Sequence, residues 1–167
     1  MNEADNYIFR PYAPSDLNFL QNSWGSSFYM FSDIRHFIPP DVFHKYHRPI
    51  RENILNSAQA TVIIACAKSD PDLILGWICV EKPSNFKGLL LHFIYIKQAF
   101  RGQGIARDLM AKSIGEIKPV IFSCLTRKAA KILHKNKEKF VDFFYEPEAI
   151  YGLNEQKGHW FESKRIS

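Results

Sequence analysis

The apolar run LLLHFIYI at 89–96 leads into AFRGQGIARDLM at 99–110, and no other stretch limits the fold so tightly. Eight residues with one polar member among them read as a buried strand. Gly102 and Gly104 follow, with a helix-forming segment behind them. Glycine at a strand-to-helix turn permits positive φ and lets another group come close to the backbone. The free N–H groups and macrodipole of the helix N-terminus attract negative charge, so an anion is the first suspect.

The chain has 167 residues, 46% of them hydrophobic, enough for one domain with a substantial core spanning 1–167. No segment reaches the ~18 apolar residues that cross a bilayer, and the start MNEADNYIFR carries neither a basic nor an apolar targeting region. A soluble, cytoplasmic protein without membrane association is expected. Cys66, Cys79 and Cys124 are odd in number and lie in or beside apolar strand-like runs, which favours reduced structural thiols over a disulfide framework. The formal net charge of +5 favours an anionic partner without saying which.

Tyr7 to Arg10 read as a first strand, and APSDLNFLQNSW as a helix opened by Pro14 and Ser15, with Leu17, Leu20 and Trp24 at helical spacing. The segment from Gly25 to Asn56 is the least regular. A helix is expected after PPD, with Pro49 marking a break or a second start. ATVIIACA and LILGWICVE form a hairpin across KSDPD. Beyond the glycine turn, Ile105, Leu109, Met110, Ile114 and Ile117 trace one helical face, and PVIFSCL is the next buried strand. TRKAAKILHKNKEKF reads as a basic helix with Ala129, Ala130, Ile132 and Leu133 inward; VDFFYE and the region around GHWFES read as closing strands. This order predicts an α/β (α+β) domain, a mixed sheet flanked by helices.

Two familiar anion cradles fail. A nucleoside-triphosphatase loop needs Gly-Lys-Ser/Thr after a spaced glycine, which is absent. A dinucleotide fingerprint begun at Gly102 puts Arg107 where glycine or alanine is required. What remains, Arg101-Gly102-Gln103-Gly104-Ile105-Ala106, resembles the Q/R-x-x-G-x-G/A motif of the GNAT N-acetyltransferase superfamily, whose loop amides wrap the pyrophosphate of acetyl-CoA. YIFRPYAPSDLNFL, the hairpin, IYIKQAFRGQGIA and RKAAKILHKNKEKF also resemble successive parts of that family's domain, so nearly the whole chain is covered.

The resemblance implies a mostly antiparallel mixed sheet of six to seven strands, splayed between strands 4 and 5 and flanked by about four helices. It implies acetyl-CoA as co-substrate, held by Arg101 to Ala106 (Gln103 and Ile105 included) with Arg127 near the phosphates, and a pantetheine arm pairing with the backbone of Ile94, Tyr95 and Ile96. An arm with two amides suits a strand edge left unpaired by the splay. No metal is implied. The pair His44 and His47 in HKYH has helical spacing, but no acidic or thiol ligand accompanies it, and a solvated basic face is the expectation.

The implied reaction is direct transfer of an acetyl group to a primary amine in a ternary complex. An attacking amine must be neutral, and the departing thiolate benefits from a proton donor. His92 is the one strongly polar side chain in its strand and, by period two, shares a face with Ile94 and Ile96. It matches a base-relay histidine of the arylalkylamine branch and is the candidate base, with a core histidine as the alternative. The glutamate many protein-lysine acetyltransferases place two residues earlier is here Leu90. The family's N-x-x-A-x-x-x-Y spacing falls on Arg127, Ala130 and His134, making His134 a candidate acid, with Tyr145 or water behind it. Cys124 has the chemistry to hold an acyl group, although a buried thiol is the commoner fate. Residues Trp24 to Arg51 are expected to shape the acceptor side. Their basic residues suit an amine on an anionic scaffold, and two alternatives stay open: a catalytically silent acyl-CoA-binding module, and a nucleic-acid binder using the basic helix.

Overall fold

The computed structural model describes residues 6–151. Four strands build the antiparallel part of the sheet: β1 (Tyr7–Pro11), β2 (Ala60–Ala67), β3 (Asp70–Glu81) and β4 (Leu89–Ile96). Two three-residue strands, β5 (Val120–Phe122) and β6 (Phe143–Tyr145), join in parallel, so the order is β1-β2-β3-β4-β5-β6. Parallel neighbours need a crossover. Helix α3 (Ile105–Ser113) links β4 to β5, and α4 (Arg127–Lys135) links β5 to β6. Helices α1 (Leu17–Phe31) and α2 (Pro40–Leu55) lie between β1 and β2 in the chain. The mixed sheet and four α-helices are the expected class; the strand expected around GHWFES lies outside the described residues.

Each face of the sheet carries its own core. Leu20, Trp24 and Phe28 of α1 pack with Phe43 of α2 on Trp77 and Phe93. Trp24 is fully buried, stacked on Phe93 at 5.4 Å between ring centroids and 5.8 Å from Trp77. The other face buries Ile105 and Leu109 of α3 against Ala65, Ile78 and Val80. Ile114 and Ile117 lie past the end of α3 and still pack there, so the apolar stripe outruns the helix.

The segment from Gly25 to Asn56 is far more regular than its composition suggests. Helix α1 runs through Gly25 because Arg51 of α2 comes to that point: a Cβ on Gly25 would fall 2.8 Å from Arg51 Nη2. Glycine inside a helix costs about 1 kcal/mol relative to alanine, and here it makes room for a guanidinium. Arg51 is 2% exposed and donates from Nε to Gln21 Oε1 at 3.0 Å and from Nη1 to His47 Nδ1 at 2.9 Å. Helix α2 also passes through Pro49 unbroken. Phe43 on one side of the proline and Ile54 and Leu55 on the other are buried in the same core, which holds both halves of α2 in line.

His47 belongs to this packing and not to a solvated basic face. Its ring stacks on Phe43 at 4.8 Å and lies 5.4 Å from Phe28. Burial, then the Arg51 charge, pushes its pKa down to about 4. The N-terminal end of α1 is held by Asp16, not Ser15. Its carboxylate accepts from Arg10 Nη1 at 2.7 Å, Arg10 Nη2 at 2.9 Å and the Ala13 amide at 2.8 Å, and the Arg10 bonds above all keep it below the usual carboxylate range.

Both groups make the fold acid-sensitive in the same direction. Between pH 6.5 and about 4 unfolded His47 binds a proton that folded His47 excludes, so its stabilising contribution is present above this window and lost on descending through it. Asp16, depressed when folded, loses its contribution as pH drops further. Urea midpoints are expected to fall from pH 7 to pH 4, and His47→Gln, which keeps an acceptor for Arg51, to flatten the upper part of that fall; an equally steep slope in the variant refutes the assignment.

Candidate functional site

The sheet opens along β4. Only Leu89–Leu91 pair with β5, through Val120–Phe122, whereas β4 runs on to Ile96. From Phe93 to Ile96 the strand is paired on its β3 edge, and among the described residues no strand meets its other edge. A cavity of about 420 Å³ lies at this opening. Residues 93–96 form one wall, the loop and first turn of α3 a second, Ala129 and Ile132 of α4 a third, and Ser27 and Phe31 bring α1 to its border.

The glycine loop has the backbone that its residues suggested. Gly102 has φ 85° and Gly104 φ 80°, both in the left-handed region that glycine enters without strain. Gly104 precedes α3 and no side chain caps that helix, so the first-turn N–H groups stay open. A Cβ built at Gly102 meets no atom within 4 Å. The glycine is therefore not demanded by packing of the chain on itself; it answers to backbone conformation and to the space in front of it. Arg101, Arg107 and Lys128 border the same cavity, a cationic setting beside open amides. Arg101 is steadied by donating from Nε to the Ile96 carbonyl at 3.1 Å. Asp108 of α3 is engaged by Tyr7 Oη at 2.6 Å and Arg107 Nε at 2.8 Å.

Of the residues expected at a coenzyme site, Ile94 to Ile96, Arg101, Gly102 and Gly104 to Ala106 border the cavity. Gln103 is exposed in the loop and lies off its lining. Arg127 also lies off it: its guanidinium is held by Asp33 Oδ1, 2.9 Å from Nε, and by His36 Nε2, 2.6 Å from Nη2. Its neighbour Lys128 takes the place at the border, and with Arg107 it was missed in the sequence, whereas Ser27 and Phe31 fall within the Trp24 to Arg51 segment expected on the acceptor side. Ile132, expected inward, is 47% exposed at the cavity edge, and α4 contributes no fully buried residue.

The proton-handling candidates fare differently. His92 is buried, but not on the face of Ile94 and Ile96. A β-bulge intervenes: Phe93 pairs with Cys79 and Leu91 with Val80, leaving His92 as the extra residue. Its ring lies 6.5 Å from Trp24, on the face that also takes Phe93, and it does not line the cavity. Its Nε2 is 2.8 Å from Glu81 Oε2, a partner that sequence reasoning passed over although Glu81 is the one acid closing an apolar strand. His134 is exposed on α4 and borders a separate shallow depression with Lys137 and Phe140, which turns it from the cavity where a thiolate proton would be needed. Tyr145, on β6, packs against Phe122 at 5.5 Å. Cys124 is free, and burial pushes its thiol up to about 11. Among the described residues no group of three or more His, Cys, Asp or Glu side chains is arranged to hold a metal, and no helix is long and apolar enough to cross a membrane.

The fold has an opened sheet with an uncapped, glycine-led helix at its mouth, and comparison with known proteins shows the class of acetyltransferases. The model of the acetyltransferase (GNAT) family matches residues 27–137, well over half of the chain, and the protein belongs to that family. Three solved structures illustrate the shared fold. YycN of Bacillus subtilis, described as a candidate acetyltransferase, has a TM-score of 0.59 at 12% identity over 77% of this chain and 89% of its own. A GNAT-family acetyltransferase of Staphylococcus aureus Mu50 has a TM-score of 0.56 at 18% identity, covering 78% and 82%. The PaiA N-acetyltransferase of Thermoplasma acidophilum, solved with coenzyme A, has a TM-score of 0.53 at 14% identity, covering 79% and 87%. No curated protein matches the chain significantly.

A thiol with a pKa near 11 is overwhelmingly protonated at pH 8. Alkylation of Cys124 by iodoacetamide in the folded protein is expected to run about a hundredfold slower than in the urea-unfolded chain. Peptide mass spectrometry reads this directly, and comparable rates in the two states would contradict the buried, inert thiol.

Proposed function

We propose that the protein is an N-acetyltransferase that moves an acetyl group from acetyl-CoA to a primary amine in a ternary complex. The observation that carries this reading is the coincidence, at one cavity, of an unpaired strand edge at Phe93–Ile96 and a glycine loop with open amides. Diphosphate needs several N–H donors converging on it, which Gly102 to Ala106 offer beside Arg101, Arg107 and Lys128. The two amides of the pantetheine arm suit the β4 edge, and a backbone N–H near Ile94 or Ile96 is aimed at the developing oxyanion.

In the reaction the amine nitrogen attacks the thioester carbon, the C–S bond breaks, and an amide and CoA thiol are formed. The amine gives up one proton and the departing sulfur takes one. We assign the first to His92, acting through water because its ring does not reach the cavity lining. With His134 turned elsewhere, Tyr145 or water is left to protonate the thiolate. Direct transfer is favoured over an acyl-cysteine because Cys124 is not a thiolate at neutral pH. The acceptor enters beside Ser27 and Phe31 of α1. Exposed Arg35, Lys45 and Arg48 on that side suit an amine carried on an anionic scaffold. A cytoplasmic location suits the three unpaired cysteines.

Gly102→Val is the discriminating variant. Valine at φ 85° costs on the order of 1–3 kcal/mol of backbone strain, but the protein itself has room for the side chain. Calorimetry is expected to show CoA affinity reduced by at least tenfold in a variant that stays folded by circular dichroism; unchanged affinity refutes the cradle. Screening primary amines for CoA release from acetyl-CoA tests the chemistry. Coenzyme binding without release by any amine would leave an acyl-CoA-binding module in place of an enzyme.

A further inference from the structure

Among the described residues His92 is the one imidazole buried inside the sheet, and its surroundings are asymmetric. The ring is 2% exposed. Nε2 faces Glu81 Oε2 at 2.8 Å, whereas Nδ1 is buried and has no hydrogen-bond partner. We infer that Glu81 is a positioning residue: it fixes the tautomer of His92 so that Nε2 carries the hydrogen and Nδ1 presents the proton-accepting lone pair.

The geometry follows from the bulge. Glu81 ends β3 opposite Leu90, and Val80 lies opposite Leu91. Regular pleating would have set residue 92 opposite Cys79; the extra residue frees it from the ladder and lets its ring reach back to Glu81. An ionised carboxylate only accepts hydrogen bonds, so the ring nitrogen facing it must donate. The neutral ring then has one hydrogen, at Nε2, and Nδ1 is bare. The opposite tautomer would bury an N–H without an acceptor and set two lone pairs against each other, both costly. Glu81 therefore orients the ring through a side chain that is itself only 16% exposed.

Among the described residues no other group is hydrogen-bonded to the ring. From β3, Cys79 is a buried thiol held protonated by its surroundings, and after β5 Cys124 is pushed up to about 11. From α1, the neighbour is the Trp24 indole, which does not titrate. The Arg51 guanidinium of α2 is bonded to Gln21 and His47. Among the described residues Glu81 is the only titratable group hydrogen-bonded to His92.

The role of Glu81 in catalysis rests on His92 being the base, but the tautomer can be read in the resting protein without any substrate. Nitrogen-15 spectra of the histidine rings, with His92 assigned by comparison with His92→Gln, are expected to show a pyrrole-like Nε2 and a pyridine-like Nδ1 at pH 8. In Glu81→Gln, whose amide can either accept from or donate to the ring, the ring is expected to lose its single tautomer at pH 8. Glu81→Ala, which removes the acceptor altogether, serves in its place if that variant does not fold, and Glu81→Asp, which keeps a carboxylate, is expected to hold the native tautomer in part. A protonated Nδ1 in the native protein, or an unchanged single tautomer in Glu81→Gln and Glu81→Ala, overturns the inference. Full turnover in His92→Gln is a different failure: it would remove His92 as the base while leaving the Glu81-fixed tautomer intact.

Discussion

Beyond Leu91, β4 has a strand neighbour on one side only among the described residues, and the rest of the site depends on that missing pairing. Backbone N–H and C=O groups buried without partners are costly, so a strand edge of this kind persists where something else can occupy it. The opening is set by how early β5 stops. After Phe122 the chain leaves the sheet through Ser123 and Cys124, and Thr126 caps α4 by accepting the Ala129 amide at 3.2 Å. That cap turns the chain away before a fourth β4–β5 pair can form. Helix α4 then becomes the far wall, with Ala129 and Ile132 on the cavity, in place of another strand.

The two walls are tied together across the top. Arg127, the first residue of α4, is bonded to Asp33 and His36, which follow α1. The pairing is exposed, and such ion pairs contribute little stability on their own. Its effect is geometric: it sets the N-terminal end of α4 relative to α1 and leaves Lys128, one residue on, at the cavity. A spacing argument placed the charge on Arg127 because sequence distance cannot register a contact with a residue 94 positions away. The cationic contribution was legible within one residue, and the particular side chain was not.

The same division runs through the whole chain. The glycine loop was readable because its cause is local: Gly102 and Gly104 adopt positive φ, which those two residues announce by themselves. The hairpin, the order of elements and the α3 stripe were readable for the same reason, as periodicity and turn chemistry act over a few residues. His92 was placed on the wrong face because period two holds only while both strands keep register, and a bulge between Cys79 and Val80 is a property of the pair. Helix α1 was cut short at Gly25, whose reason for being glycine is Arg51, 26 positions later and visible only once the two helices are packed. Glu81 drew no reading at all, because its partner is brought to it by the bulge.

Arg51 links this packing back to the site. A guanidinium cannot shed its proton in the folded chain, and among the described residues no carboxylate lies within ion-pair distance of this one, so its hydrogen bonds go to neutral acceptors, Gln21 and His47. The arrangement holds only while His47 stays neutral, since protonation would set two cations 2.9 Å apart inside the α1–α2 interface. Helix α1 also carries Ser27 and Phe31, which stand at the cavity border, about half a turn and about one and a half turns beyond the Gly25–Arg51 contact. The acid-sensitive joint thus lies against the same helix that borders the cavity. Loss of His47 neutrality bears on the core of the α1–α2 face, whereas α3 packs in a separate core on the opposite face of the sheet.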